Sequence, residues 1–201
     1  MSKAAWVIVE PEQGSGNQSV NVSSIEHLGR VVRESSITFS ANGCADVVRI
    51  VKQAGKEEFV SINEQISLSN EGGIATIKGI SNSKKLTFSL GSGILPITLP
   101  ETYNVNGEGN PVNNGEEIPG DPGASYAFNL NLSINVPANS MFEKVSKQVV
   151  VTTENGTNAV CTITMDADTP YLTVEDKIIE IPYTGSTISI NVQSNTNWFI
   201  K

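Results

Sequence analysis

Three observations predict an all-β chain of immunoglobulin-like β-sandwich modules, one complete and one split between the two termini. Ser, Thr, Asn, Gly, Val and Ile dominate the composition, and no stretch repeats apolar residues at helical spacing over three turns. Two segments, SSITFSANGCADVVRIVKQ and KQVVVTTENGTNAVCTITMD, each read as an apolar-alternating run, an Asn-Gly pair and a second run, which is the pattern of a β-hairpin. The chain also repeats itself at an offset of about 113 residues, the size of one sandwich domain.

The repeat sets the elements in order. Residues 21–43 (NVSSIEHLGRVVRESSITFSANG) align with 135–156 (NVPANSMFEKVSKQVVVTTENG), with Arg33 over Lys147, Ile37 over Val150 and Asn42-Gly43 over Asn155-Gly156. Asn-Gly suits both positive-φ positions of a type I′ turn, so both hairpins are expected to close that way. Val31, Ile37, Phe39, Val48, Ile50, Val149, Val151, Val160 and Ile163 are the expected core-facing positions. A second pair, FVSINEQISLSNEGG from Phe59 and YLTVEDKIIEIPYTG from Tyr171, matches Ile62 to Val174, Glu64 to Asp176, Ile66 to Ile178 and Gly73 to Gly185. The period then divides the chain. Residues 59–170 form one complete module with a long loop at 91–123, residues 1–58 the later part of a module, and residues 171–201 the beginning of one.

Placed end to start, the terminal segments carry LTVEDKIIEIPYTGSTISINV, SNTNW at Ser194 to Trp198, AAWVIVEP followed by GSGNQSVNV, the arginine of VVRESSITF and the closing VRIVKQAG. As a set these resemble the BACON family of immunoglobulin-like domains, found in proteins of gut Bacteroidetes and their phages. The middle module keeps only a weak version of the pattern. A sandwich missing strands exposes edges and half a core. The ends are therefore expected to complete each other, either within one chain or between neighbouring chains by strand exchange. Trp6, Val7, Ile188, Ile190, Val192 and Trp198 are the residues expected at that completion.

The search for chemistry yields little. The single histidine, His27, falls on an expected exposed loop, and no G-x-S-x-G, C-x-x-C or H-E-x-x-H occurs. No catalytic residue and no cofactor is expected. Cys44 and Cys161 sit in equivalent hairpins of different modules and are expected as free, small core residues. Adjacent acids such as Glu57-Glu58 and Glu116-Glu117 point to opposite faces of a strand. The stretch NVNGEGNPVNNGEEIPGDPG offers oxygen atoms from Asn106, Glu108, Glu116, Glu117 and Asp121, but not at EF-hand spacing. Its length marks it as a candidate contact loop. Trp6 and Trp198 could stack on sugar rings, or serve as interior anchors of the split module.

A net charge of −8 argues against a nucleic-acid partner, and no apolar run is long enough to span a membrane. The opening MSKAAWVIVEPEQ lacks the apolar core of an export signal, so the chain is expected not to be exported. The sequons at Asn17, Asn21, Asn131 and Asn155 are then incidental. The expected function is non-enzymatic: an auxiliary decoration component of a gut-phage capsid or a head fibre, made in the host cytoplasm, with itself or other virion proteins as partners. The alternative is a carbohydrate- or mucin-binding module on a bacterial surface.

Overall fold

The computed structural model describes residues 3–175 and 178–201. The chain is all-β, and its only helical piece among the described residues is a 3-10 turn at Pro122–Ala124. No described helix is long and apolar enough to cross a membrane.

Four strands come first: β1 (Val7–Glu10), β2 (Asn21–Ser24), β3 (Arg33–Phe39) and β4 (Val47–Gln53). Nine follow in the middle module: β5 (Val60–Ile62), β6 (Gln65–Leu68), β7 (Gly73–Ser81), β8 (Leu86–Gly93), β9 (Thr102–Val105), β10 (Pro111–Asn113), β11 (Phe128–Val136), β12 (Val145–Thr153) and β13 (Asn158–Met165). Two more, β14 (Leu172–Val174) and β15 (Val192–Ser194), lie beyond it.

The middle module is a two-sheet sandwich. One sheet has the order β10-β9-β11-β7-β5, the other β6-β13-β12-β8. All its pairings are antiparallel except β13 with β6. Period-two patterning builds the core between the sheets. In β11, Phe128, Leu130, Leu132, Ile134 and Val136 point inward; in β12, Val145, Val149 and Val151; in β13, Cys161, Ile163 and Met165.

Residues 91–123, expected as a loop, are largely structured. β9 and β10 extend the first sheet, and Leu95, Ile97, Tyr103, Val105, Val112 and Ile118 are buried in the same core. Alternating apolar residues at Tyr103, Val105 and Val112 gave the segment a face to bury, beneath a surface rich in Gly and Asn.

Tyr103 is 1 % exposed. Its hydroxyl has no hydrogen bond of normal geometry, although the Leu86 backbone lies close enough to oppose the shift; burial pushes its pKa up to about 12. The neutral phenol is thus favoured by folding. This contribution to stability is complete below the ordinary tyrosine value near 10 and is lost as pH rises towards about 12. Wild type should therefore lose stability relative to Tyr103→Phe across that window, read as urea midpoints at pH 9, 10.5 and 12.

Both hairpins form, but their turns differ from the expected type I′. Gly43 and Gly156 have φ of 78° and 91°, whereas neither Asn42 nor Asn155 is at positive φ. The loop at residues 153–157 is closed by Thr153 N–H to Thr157 O and Gly156 N–H to Thr153 O. In the second hairpin Gly156 supplies the left-handed position after the turn, as in longer loops built on a type I turn. In the first, Gly43 is the third residue of the turn that the Cys44 amide closes on Ala41 O, the position at which a type II turn needs positive φ.

The alignment of the repeat also shifts by one residue. Ile37 and Val149 are the buried positions of their strands, whereas Val150 faces outward, so Ile37 corresponds to Val149. Over residues 29–63 one offset of 112 residues relates the copies: the Lys56 amide donates to Gly29 O at 2.8 Å, and the Asp168 amide to Met141 O at 2.8 Å. From Ser69 onward the offset is 113, since the Gly72 amide donates to Ser69 O as the Gly185 amide does to Pro182 O.

Candidate assembly interface

Outside the middle module the strands form only pairs: β1 with β2, β3 with β4, and β14 with β15. No strand of the N-terminal segment pairs with a C-terminal one among the described residues. The N-terminal unit has a small core of Val7, Val9 and Ile37, against which Trp6 and Val51 pack. Trp6 is half-buried, with the Arg33 guanidinium 4.5 Å from its ring centroid.

The rest of that unit is open. A groove of about 520 Å³ separates its two hairpins, with Val9, Val20, Ile37 and Phe39 among its lining residues. Val22 shares the face of Val9, its cross-strand neighbour, and is 47 % exposed. Phe39 and Val47, paired across the second hairpin, face the same side as Ile37 and are also exposed. Of the residues expected in the core, Val31, Phe39, Val48, Ile50 and Val160 are therefore exposed. Val48, Ile50 and Val160 lie on outward faces by alternation, whereas Phe39 faces inward onto an uncovered space.

The C-terminal segment is more exposed still. Ile188, Ile190 and Trp198 are 44, 42 and 50 % exposed, and Val192 is partly buried. Ile178, Ile181, Tyr183, Phe199 and Ile200 are open as well. Asp176 and Lys177, the first of which the repeat matches to Glu64, lie outside the described residues.

This segment nevertheless begins as the middle module does. Ser81 Oγ donates to Phe59 O (2.6 Å) and Asn82 Oδ1 accepts from Phe59 N–H (2.9 Å); Ser194 Oγ donates to Tyr171 O (2.9 Å) and Asn195 Oδ1 accepts from Tyr171 N–H (3.0 Å). Asn82 Nδ2 donates to Glu57 O (3.2 Å), and Asn195 Nδ2 to Thr169 O (3.1 Å). Strand pairing agrees, since Val60↔Ser81 in β5–β7 has its counterpart in Leu172↔Ser194. The Ser-Asn-Ser and Ser-Asn-Thr motifs are thus one clasp used twice, a signal that self-comparison over residues 81–83 and 194–196 could have found.

At the first junction the clasp is buried. Asn82 Nδ2 also donates to Leu28 O (3.0 Å) and Lys56 O (3.3 Å), and the Arg30 side chain donates to Asn82 O and pairs with Asp121. Arg30 and Val31 amides donate to Gly123 and Ala124 carbonyls at 2.9 and 3.0 Å. The fit needs glycine: a Cβ on Gly123 would lie 2.1 Å from Asn82 O, and one on Gly29 2.4 Å from the Ser125 backbone. Gly123→Ala should loosen this junction, detected as faster trypsin cleavage at Lys56 with the middle module intact.

The candidate contact loop is partly absorbed by these bonds. Asp121 braces Arg30, Glu117 pairs with Lys84, Glu116 accepts from Asn113, and Asn106 Oδ1 accepts from Asn129 N–H. Glu108 is exposed. The five do not converge on one point, and no group of three or more His, Cys, Asp or Glu among the described residues could hold a metal ion.

His27 is buried rather than exposed, because its Nε2 donates to Val31 O at 2.7 Å across a tight loop. Cys44 is exposed in the hairpin turn, not in the core, while Cys161 is buried and its thiol pKa is raised by burial.

The accessible surface quantifies the openness. The chain exposes 13438 Å², whereas a compact monomer of 21.4 kDa exposes about 9,100 Å², and two separate half-size domains about 11,000 Å². No known family model matches the chain, and no curated protein matches it.

Proposed function

We propose that this protein is a non-enzymatic structural protein that assembles by having its open terminal half-modules completed by strands from another chain. One observation carries the reading: both ends leave many apolar residues uncovered, so that the chain exposes about 2,400 Å² more surface than two compact domains would. That excess falls in the range buried by permanent assemblies. Exposed apolar faces and strand edges of this size favour association in water. In its fuller form the reading places the protein on a bacteriophage particle, as a capsid decoration or head-fibre component, on the strength of the BACON resemblance of the two ends.

A second reading, carbohydrate binding, draws on the exposed Tyr171, Tyr183, Trp198 and Phe199. Under the assembly reading these rings lie in or beside the completed module. Light scattering on the intact chain decides. Masses at multiples of 21.4 kDa are expected, with a shift to monomer when residues 186–201 are deleted. A strict monomer that binds a glycan array through Trp198 would favour the second reading.

A further inference from the structure

We infer that the occupant of the open N-terminal unit is the C-terminal segment of a second copy, docked in the register that the middle module uses on itself. The inference rests on the assembly reading and names its partner and site. The missing strands of residues 1–58 correspond to those that residues 171–201 carry, and the clasp at Ser194-Asn195 shows that this segment starts a module in the same way as Phe59 does.

The middle module supplies the pairing. In β11–β7, Ile134 faces Ala75 and Leu132 faces Ile77. The ends of β2 at Ser24 and of β11 at Val136 extend the offset of 112 back to this strand, and it carries Ile134 to Val22 and Leu132 to Val20. From Ser81 to Ser194 the offset is 113, which carries Ala75 to Ile188 and Ile77 to Ile190. The transferred pairs are Val22 with Ile188 and Val20 with Ile190, four aliphatic residues each at least 36 % exposed in the single chain. They would close the groove that Val9 and Ile37 line.

On the other sheet, parallel β13–β6 sets Ile163 beside Ile66, which transfers at the offset of 113 to Val51 beside Ile179. In β12–β8, Thr153 faces Leu86, which places Ala41 opposite Phe199. One chain segment thus feeds both sheets, as β6, β7 and β8 do in the complete module.

Charge agrees with this placement. β4 carries Arg49 and Lys52 and no acid. In the same register Thr164 beside Ser67 transfers to Lys52 beside Glu180, where Lys52 pairs with Glu34 of β3 in the single chain. Because donor and acceptor surfaces lie at opposite ends of the sequence, the contact is head-to-tail and propagates into a ring or filament.

The test uses the full chain with Cys44→Ser and the double replacement Val22→Cys, Ile188→Cys, oxidised gently and run without reductant. A ladder of covalent dimers, trimers and higher species is expected. Ser189→Cys in place of Ile188→Cys, one residue off the inward face, should give at least tenfold less. An internally bridged monomer would overturn the inference in favour of closure within one chain. Association by light scattering without the ladder would overturn the register and leave the assembly reading standing, whereas a strict monomer overturns both. A charge exchange checks the result where cysteines disturb folding. Lys52→Glu should weaken association about fivefold, and Glu180→Lys in the same chain should restore it; failure of the restoration counts against the register.

Discussion

Replacing Phe128 by alanine is expected to cost about 3–5 kcal/mol of unfolding free energy and to lower the Tm of the middle module by about 15 °C or more. Phe128 opens β11 and is 0 % exposed, within a cluster that joins both sheets through Ile77, Leu86, Leu132, Val149 and Ile163. The strand is held on one side along its whole length by β7, so the backbone cannot collapse into the space left by the ring. The lost transfer free energy and the cavity therefore add. Ile50→Ala is the matched control: the side chain is 67 % exposed on the outward face of β4, and its removal should change stability by no more than about 0.5 kcal/mol. Calorimetry on the two variants gives the comparison. A small effect at Phe128 would mean that the sandwich core is not the main source of the module's stability.

The contrast between these positions shows what the sequence made legible. Alternation marks Val149, Val151, Ile163 and Ile37 as inward, and all four are buried. Alternation says which face a residue is on; it does not say whether anything covers that face. Phe39 and Val22 carry the same pattern and remain exposed, because their covering strands are not supplied by the same hairpins. A one-residue slip in the repeat likewise reverses the faces, which is why Ile37 first aligned with Val150. The β9–β10 hairpin was hidden for a different reason. Its apolar residues are few and separated by Gly, Asn and Pro, so composition outweighed the short alternation at Tyr103 and Val105. The structured junction was beyond sequence reasoning, since Arg30 and Asp121 are joined across 91 positions by packing of one unit on the next.

Asn82→Ala should be the most costly polar replacement, at about 3 kcal/mol, whereas Asn195→Ala, the same residue of the repeated clasp, should cost under about 1 kcal/mol in the isolated chain. Asn82 is 0 % exposed and holds four backbone groups, accepting from Phe59 N–H and sharing its two Nδ2–H donors among the carbonyls of Leu28, Lys56 and Glu57. Truncation leaves these groups buried around a void too poor in donors to replace it. Asn195 holds the corresponding Tyr171 amide and Thr169 carbonyl, but it is exposed, so water takes over both bonds. Urea unfolding of dilute protein gives the two values. The difference between them also reports on assembly. If a second chain covers the C-terminal half-module, Asn195 loses its access to water and the cost of Asn195→Ala should rise towards that of Asn82→Ala as protein concentration increases. Two residues that hold the same pair of backbone groups would then differ less as the module of the second is closed.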